Sequence, residues 1–155
     1  VDANLMRAAS FDDLPTLVDL ARCYHAEAHS QLPFDEGHVR DQLLTRTVDT
    51  IDGICLKLES NGQIAGFLAA TTSLLFSAPV RAAIELAWYV HPDHRGKGET
   101  LLDSFEEWGR WKGCWFCALG MNELPSAARS EALARLYRRR GYYCFERSFM
   151  KDIRA

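Results

Sequence analysis

Glu85-Leu86-Ala87-Trp88-Tyr89-Val90-His91-Pro92-Asp93-His94-Arg95-Gly96-Lys97-Gly98-Glu99-Thr100-Leu101-Leu102 is the stretch from which the fold is read. Its first part is an apolar and aromatic strand run that His91-Pro92 closes. Its last two residues open a helical pattern in which Leu101, Leu102, Phe105, Trp108 and Trp111 recur on one side. A strand that passes through a glycine-rich turn straight into a helix leaves the first N–H groups of that helix without intrahelical partners. Together with the helix dipole they form an anion site suited to a phosphate or pyrophosphate. Gly96 and Gly98 keep Cβ atoms away from such a ligand and allow φ > 0. Arg95 and Lys97 add positive charge. Glu99 favours the dipole but repels phosphate, so its side chain is expected to point to solvent. Taken alone, the same pattern also describes an ordinary strand-to-helix turn.

Outward from this loop the chain alternates between the two periodicities. Leu5 to Ala8 is a short strand candidate, and Ser10 with Asp13 reads as a capping pair, which leaves Pro15 in a first helical turn. Leu14, Leu17, Val18, Ala21, Tyr24, His25 and Ala28 then follow at helical spacing to about His29. A weaker helix covers about Asp35 to Thr47. Ile54 to Glu59 and Gln63 to Thr72 read as two strands joined at Asn61-Gly62, a hairpin signal. Beyond the loop, Cys114 to Met121 is strand-like, and Leu133, Leu136 and Tyr137 mark a fourth helix that stops at Gly141. Tyr142 to Lys151 closes the chain with strand-forming aromatics. The order β-α-α-β-β-β-α-β-α-β places the chain in the α/β (α+β) class, with helices on both faces of a mixed sheet.

With 155 residues the chain is sized for one domain, 1–155, and shows no repeat or linker that would divide it. A formal charge of −3 argues against nucleic-acid and anionic-membrane partners, which require clustered base. No apolar run approaches the ~18 residues of a membrane span. Cys23, Cys55, Cys114, Cys117 and Cys144 form an odd, scattered set that reads as reduced thiols and a cytoplasmic location. Cys114 and Cys117 stand three apart on a strand pattern, so they face opposite sides, and no second pair completes a metal site. His25 and His29 are one helical turn apart without a third ligand, which leaves His25 lining a cleft or core. No metal is expected. Trp108, Trp111 and Trp115 follow element periodicity and read as core. Arg138, Arg139 and Arg140 read as a solvated helix end.

The ordered set Glu85 to Pro92, Arg95-Gly96-Lys97-Gly98, Leu101-Leu102 and Leu136-Tyr137-Arg138-Arg139-Arg140-Gly141-Tyr142 resembles the GNAT superfamily of N-acetyltransferases over nearly the whole chain. Met6-Arg7-Ala8-Ala9 through Asp13-Leu14, and Gly62 to Phe67, are similar to its opening strand and second hairpin. Small bacterial or phage-encoded members are the nearest in character. The resemblance implies a mixed, mostly antiparallel sheet of about six to seven strands with four helices. It also implies acetyl-CoA as co-substrate, with its pyrophosphate on the loop Arg95, Gly96, Lys97, Gly98 and Thr100. Its pantetheine arm would pair with the backbone of Trp88, Tyr89 and Val90, where the fourth strand parts from the fifth.

The sequence departs from the family pattern of Gln or Arg, two residues, Gly, one residue, then Gly or Ala. Read forward from Pro92, Arg95 takes the first place, Gly98 the fourth, and Thr100 stands where a small residue belongs. Read backward from Leu101, Gly96 and Gly98 are the two glycines and Asp93 holds the basic place. Ser130 occupies the position where many relatives carry Asn before the fourth helix, and a serine there still caps a helix.

The resemblance implies transfer of acetyl to a primary amine, carried by a small molecule or a protein, by direct attack in a ternary complex. At pH 7 only about one lysine-like amine in 2,500 is neutral, which corresponds to about 4.6 kcal/mol and makes a general base useful. Glu85 stands where many relatives place that base, often acting through water; the simpler reading is a paired charge at a strand end. Tyr137 stands where the family places the acid that protonates the departing thiolate; the simpler reading is a core aromatic. A rival reading is a non-catalytic acyl-CoA-binding or protein-interaction module on the same fold. A homodimer is compatible with the sequence.

Overall fold

The computed structural model describes residues 8–122 and 127–154, which form two compact units that part after Gly120. In the first unit Ser10 caps the chain: the Asp13 carboxylate accepts from the Ser10 N–H at 2.8 Å and from its hydroxyl at 3.1 Å. Lys57 secures the same carboxylate at 3.2 Å, and the Ser10 amide leads the interactions that hold Asp13 below the usual carboxylate range. Helix α1 (Leu14–Ala28) starts here with Pro15 in its first turn. Helix α2 (Glu36–Leu43) is capped by Asp35, which accepts from the His38 N–H, and it runs on into a π turn at Leu44–Val48.

Strands β1 (Gly53–Ser60) and β2 (Gln63–Leu74) form the expected hairpin. Its turn residues Asn61 and Gly62 both have positive φ, 52° and 75°, as a tight two-residue hairpin requires. Strand β3 (Arg81–Val90) pairs antiparallel with β2, and a short β4 (Phe116–Ala118) pairs parallel with β3. The sheet is therefore mixed and has four strands in the order β1-β2-β3-β4. Helix α3 (Glu99–Trp111) lies between β3 and β4 in the chain.

Alternation along the strands separates two buried faces. Cys55, Phe67, Ala69 and Tyr89 join Leu14, Leu17, Val18 and Leu20 of α1 in one cluster. Leu56, Leu68, Ala70 and Ala83 occupy the alternate positions, toward Leu101, Leu102, Phe105 and Trp108 of α3. Gly109 permits this approach, because a Cβ there would stand 3.0 Å from the Cys117 sulfur and 3.3 Å from Ala83. In the second unit, α4 (Ala127–Arg139) ends at Gly141, whose φ of 87° closes the helix.

Several expectations are corrected. Among the described residues the sheet has four strands, and the inner elements α-α-β-β-β-α-β-α follow in the expected order without the two terminal strands. The opening strand candidate falls mostly outside the described residues; Ala8 alone forms a bridge, to Leu56. Tyr142 to Lys151 forms no strand, and Phe149 is 97% exposed. Aromatic β propensity reflects packing on a half-buried pleated surface, and without a ladder it does not fix a strand. Trp111 and Trp115 are not core: they are 70% and 73% exposed. Trp111 ends its helix one turn past the buried Trp108 and carries the Lys112 ammonium over its ring.

This division of the tryptophans and phenylalanines predicts unequal costs. Phe105→Ala should lower unfolding free energy by about 3–5 kcal/mol, and Trp111→Ala by no more than about 1 kcal/mol. Urea titrations of the two variants check this, and similar losses would place Trp111 in the core.

Candidate active site

The parallel β3–β4 ladder contains only Ala82↔Phe116, Ala83↔Cys117 and Ile84↔Ala118. Strand β3 continues for six more residues, Glu85 to Val90, and among the described residues no strand pairs with that edge. The β2 partners step from Ala87 to Glu85 as β2 advances one residue, so Leu86 is the extra residue of a bulge. Past the bulge, the His91 N–H donates to the Ala65 carbonyl at 2.8 Å. Antiparallel alternation then turns the peptide groups of Val90 and Trp88 toward the unpaired edge and those of Tyr89 toward β2.

Glu85 opens this edge. It pairs in register with Ala70, on the α3 face of the sheet, and its carboxylate accepts the Gly120 N–H at 2.8 Å. The Gly120 amide thus meets a side chain where the β4 ladder would have continued. A Cβ at position 120 would stand 3.2 Å from the same oxygen. The carboxyl lies deep among protein atoms although the residue keeps some exposure; burial pushes its pKa up to about 7, against the smaller lowering effect of the Gly120 bond.

At the other end of β3 the loop makes a 3-10 turn at Pro92–His94, and α3 then begins with Gly98 as N-cap. Gly96 has a φ of 95° with nothing within 4 Å of a Cβ position, so the space beside it is open. Gly98 is buried: a Cβ would meet Val90 at 3.1 Å and Trp88 at 3.2 Å, which is why the helix start can lie against β3. Among the described residues, the Gly96 and Gly98 N–H groups enter none of the backbone hydrogen bonds of this loop. The Thr100 hydroxyl donates back to the Lys97 carbonyl at 2.9 Å, and Glu99 is exposed, as expected. The Lys97 ammonium donates to the Ser60 hydroxyl at 3.2 Å. Arg95 is paired with Glu27 of α1 at 2.5 Å, and Glu27 also accepts from the Tyr89 hydroxyl at 2.9 Å. Burial first, and the Glu27 carboxylate second, raise the Tyr89 phenol above its ordinary value. An anionic group fits this loop: the Gly96 and Gly98 amides make no backbone bond within it, α3 starts there, and Lys97 adds a positive charge.

On the α1 face, α1, α2, the π turn, β2 and β3 enclose a cavity of about 310 Å³. Leu86 and Ala87, consecutive across the bulge, both line it.

The structure therefore brings Glu85, Trp88, Tyr89, Val90, Arg95, Gly96, Lys97, Gly98 and Thr100 onto one strand, the loop that follows it and the first turn of α3. Tyr137 and Ser130 belong to the second unit. Tyr137 is buried on α4, its ring centroid 5.9 Å from that of Tyr142. Ser130 is not a cap: it lies inside α4, which begins by Ala127, and its hydroxyl donates to the Asn122 carbonyl. Gly120, Glu27, the Leu86 bulge and the cavity were not found from sequence. Only His25, a polar residue on an apolar stripe, pointed toward the cavity, which it does line. Among the described residues no group of three or more His, Cys, Asp or Glu side chains could hold a metal ion. No helix there is long and apolar enough to cross a membrane.

A mixed sheet whose third strand parts from the fourth is followed here by a glycine loop at a helix start. The model of the Acetyltransferase (GNAT) family matches residues 14–142, and the chain belongs to that family. Solved structures agree in fold. A ribosomal-protein-alanine N-acetyltransferase from Brucella melitensis biovar Abortus 2308 is 18% identical, with 94% of this chain and 96% of that one covered and a TM-score of 0.72. An aminoglycoside acetyltransferase from an uncultured soil metagenomic sample is 18% identical over 96% and 95% of the two chains, TM-score 0.67. AAC(6')-Iy, in complex with the bisubstrate analog CoA-S-monomethyl-acetylneamine, is 17% identical over 96% and 97%, TM-score 0.71. No curated protein matches the chain.

The state of Glu85 predicts a pH dependence of stability. The folded protein holds this proton up to about pH 7, whereas an exposed carboxyl releases it near 4.5. Between those values the native state binds more protons than the unfolded chain, so stability falls as pH rises through the window and levels off above it. Glu85→Gln abolishes this contribution. Urea titrations at pH 5 and pH 7.5 should show a fall in the wild type that is smaller in the variant, and equal falls would mean that Glu85 ionises normally.

Proposed function

We propose that this protein transfers an acetyl group from acetyl-CoA to a primary amine by direct attack in a ternary complex. The observation that carries the reading is Glu85, a carboxyl with a pKa near 7 at the start of an unpaired strand edge, on the strand that leads into an anion-binding loop. A group of that pKa is half ionised at neutral pH and accepts a proton there, which suits a general base.

The amides of Gly96 and Gly98, with Lys97, would hold the pyrophosphate, and the outward peptide groups of Trp88 and Val90 would hold the pantetheine arm. Acetyl-CoA, when bound, supplies the activated acyl group. Glu85 takes the proton that the amine loses as its C–N bond forms, directly or through one water. Tyr137 returns a proton from its hydroxyl as the C–S bond breaks. An edge N–H of β3 polarises the acyl carbonyl. An acyl-enzyme on Cys55 or Cys117 is disfavoured: burial pushes the Cys55 thiol up to about 12 and the Cys117 thiol up to about 11, so both stay protonated and poorly nucleophilic.

With an acceptor of low pKa, kcat/KM should rise with pH through about 7 and then level off, following Glu85. Glu85→Gln should lose about 10²- to 10⁴-fold near neutrality and recover part of that loss at high pH, where an alkylamine deprotonates itself. Comparing acceptors of different pKa separates the two ionisations. A variant with the wild-type rate and profile would remove Glu85 from the mechanism.

Tyr137→Phe keeps the ring and loses only the proton donor. Turnover should fall at least about tenfold while the acetyl-CoA dissociation constant, measured by calorimetry, stays within about twofold. Equal turnover would make Tyr137 a packing residue. Absence of any heat or thermal shift with millimolar acetyl-CoA would remove the coenzyme itself from the reading.

A further inference from the structure

The cavity between α1, α2 and the sheet says which amines the site accepts. Its volume of about 310 Å³ stands at the lower end of the range for small-molecule sites, about 300–1,000 Å³. Its wall is largely apolar and aromatic, with Tyr24, Phe34, Phe67 and Leu86 among the lining side chains. The lining charges are few and balanced. Asp35 contributes one carboxylate, already used to cap α2 by accepting from the His38 N–H, and Arg46 contributes one cation.

The remaining polar groups are three imidazoles, the Gln42 amide and the hydroxyls of Tyr24 and Thr47. His25, His29 and His38 all line the cavity. The His25 Nε2 lies 2.8 Å from the Leu32 carbonyl, which can only accept, so Nε2 carries a proton. The tautomer that this bond selects has Nδ1 as an acceptor, suited to an amine N–H. His29 lies 3.0 Å from the Tyr24 hydroxyl, and burial first, then the neighbouring His25, lowers its pKa below the ordinary imidazole value. The wall thus offers a few hydrogen-bonding side chains, one carboxylate and one guanidinium.

We infer that the acceptor is a compact primary monoamine with an aromatic or aliphatic body, seated against Phe34, Phe67 and Leu86 and bonded through its nitrogen side to the imidazole-lined part of the cavity. A multi-ring polycation would bring several ammonium groups to a wall with one engaged carboxylate, and unpaired buried charge is costly. An extended peptide would bring more backbone N–H and C=O groups than the few polar side chains of this mostly apolar wall can satisfy. Leu86 and Ala87 connect this cavity to the catalytic edge, since they follow Glu85 directly and the bulge exposes both to the cavity.

The inference rests on the acetyltransferase reading, and the test separates the two. Wild-type protein with acetyl-CoA is assayed against phenethylamine, the polycation neamine and an Ala-initiated peptide, and binding of each acceptor is measured apart from turnover by calorimetry. Phenethylamine should give a kcat/KM at least tenfold above the other two. Phe34→Ala should raise its KM about tenfold, and Ala87→Leu, which fills the cavity, should do the same; neither should change acetyl-CoA affinity. Preference for neamine or the peptide, or phenethylamine turnover indifferent to both variants, would overturn the acceptor assignment and leave acyl transfer standing. Acetyl-CoA binding without turnover or binding of phenethylamine would also overturn it. Failure to bind acetyl-CoA would overturn the parent reading and the assignment with it.

Discussion

The ladder between β3 and β4 stops after three residues, and most of what this molecule can do follows from that stop. A parallel pair needs a continuous row of peptide groups on both strands. Here the Gly120 amide, which could extend the row, turns to the Glu85 carboxylate instead. The exchange leaves peptide groups of β3 exposed along one edge and at the same time buries a carboxyl where its charge is disfavoured. One hydrogen bond therefore links the mouth of the site to the ionisation of its base candidate. Gly120 suits this position because any side chain there would crowd the carboxylate.

The bulge at Leu86 complements the stop. Without an extra residue, alternation would carry the Ala83–Glu85 side of the strand unchanged to its end. With it, Glu85 keeps the α3 face while Leu86 and Ala87 turn to the cavity beneath α1 and α2.

What the sequence made legible was local. Asn61-Gly62 fixed the hairpin because two successive positive φ angles leave few alternatives, and Gly96 and Gly98 announced the loop because each has a separate steric reason to lack a side chain. Ser10 with Asp13, and the stripe from Leu101 to Trp108, were equally readable. Long-range pairing was not. Tyr142 to Lys151 has strand composition but no ladder, and Cys114 to Met121 shrank to three paired residues because a side chain elsewhere in the chain took its amide. The cavity was hidden for the same reason: Ala21, Phe67 and Leu86 lie on three different elements, and only their convergence leaves a space. Glu85 and Tyr137 were nominated by resemblance, not by any pattern that spacing could supply.

The loop carries a further consequence for how charge is used. Arg95, which looked like a phosphate ligand in the sequence, is neutralised by Glu27, and the same carboxylate takes the Tyr89 hydroxyl. This ties the loop to α1 and to the middle of β3, so the arginine acts as a strut across the α1 face. The attraction for a pyrophosphate then falls on Lys97, the dipole of α3 and the glycine amides. Backbone donors fixed by a helix start do not have to be ordered when the ligand arrives, whereas a long side chain drawn from an ion pair would lose one partner to gain another. A site built this way would bind through preorganisation more than through net charge, so a formal charge of −3 is no obstacle to an anionic ligand at this loop.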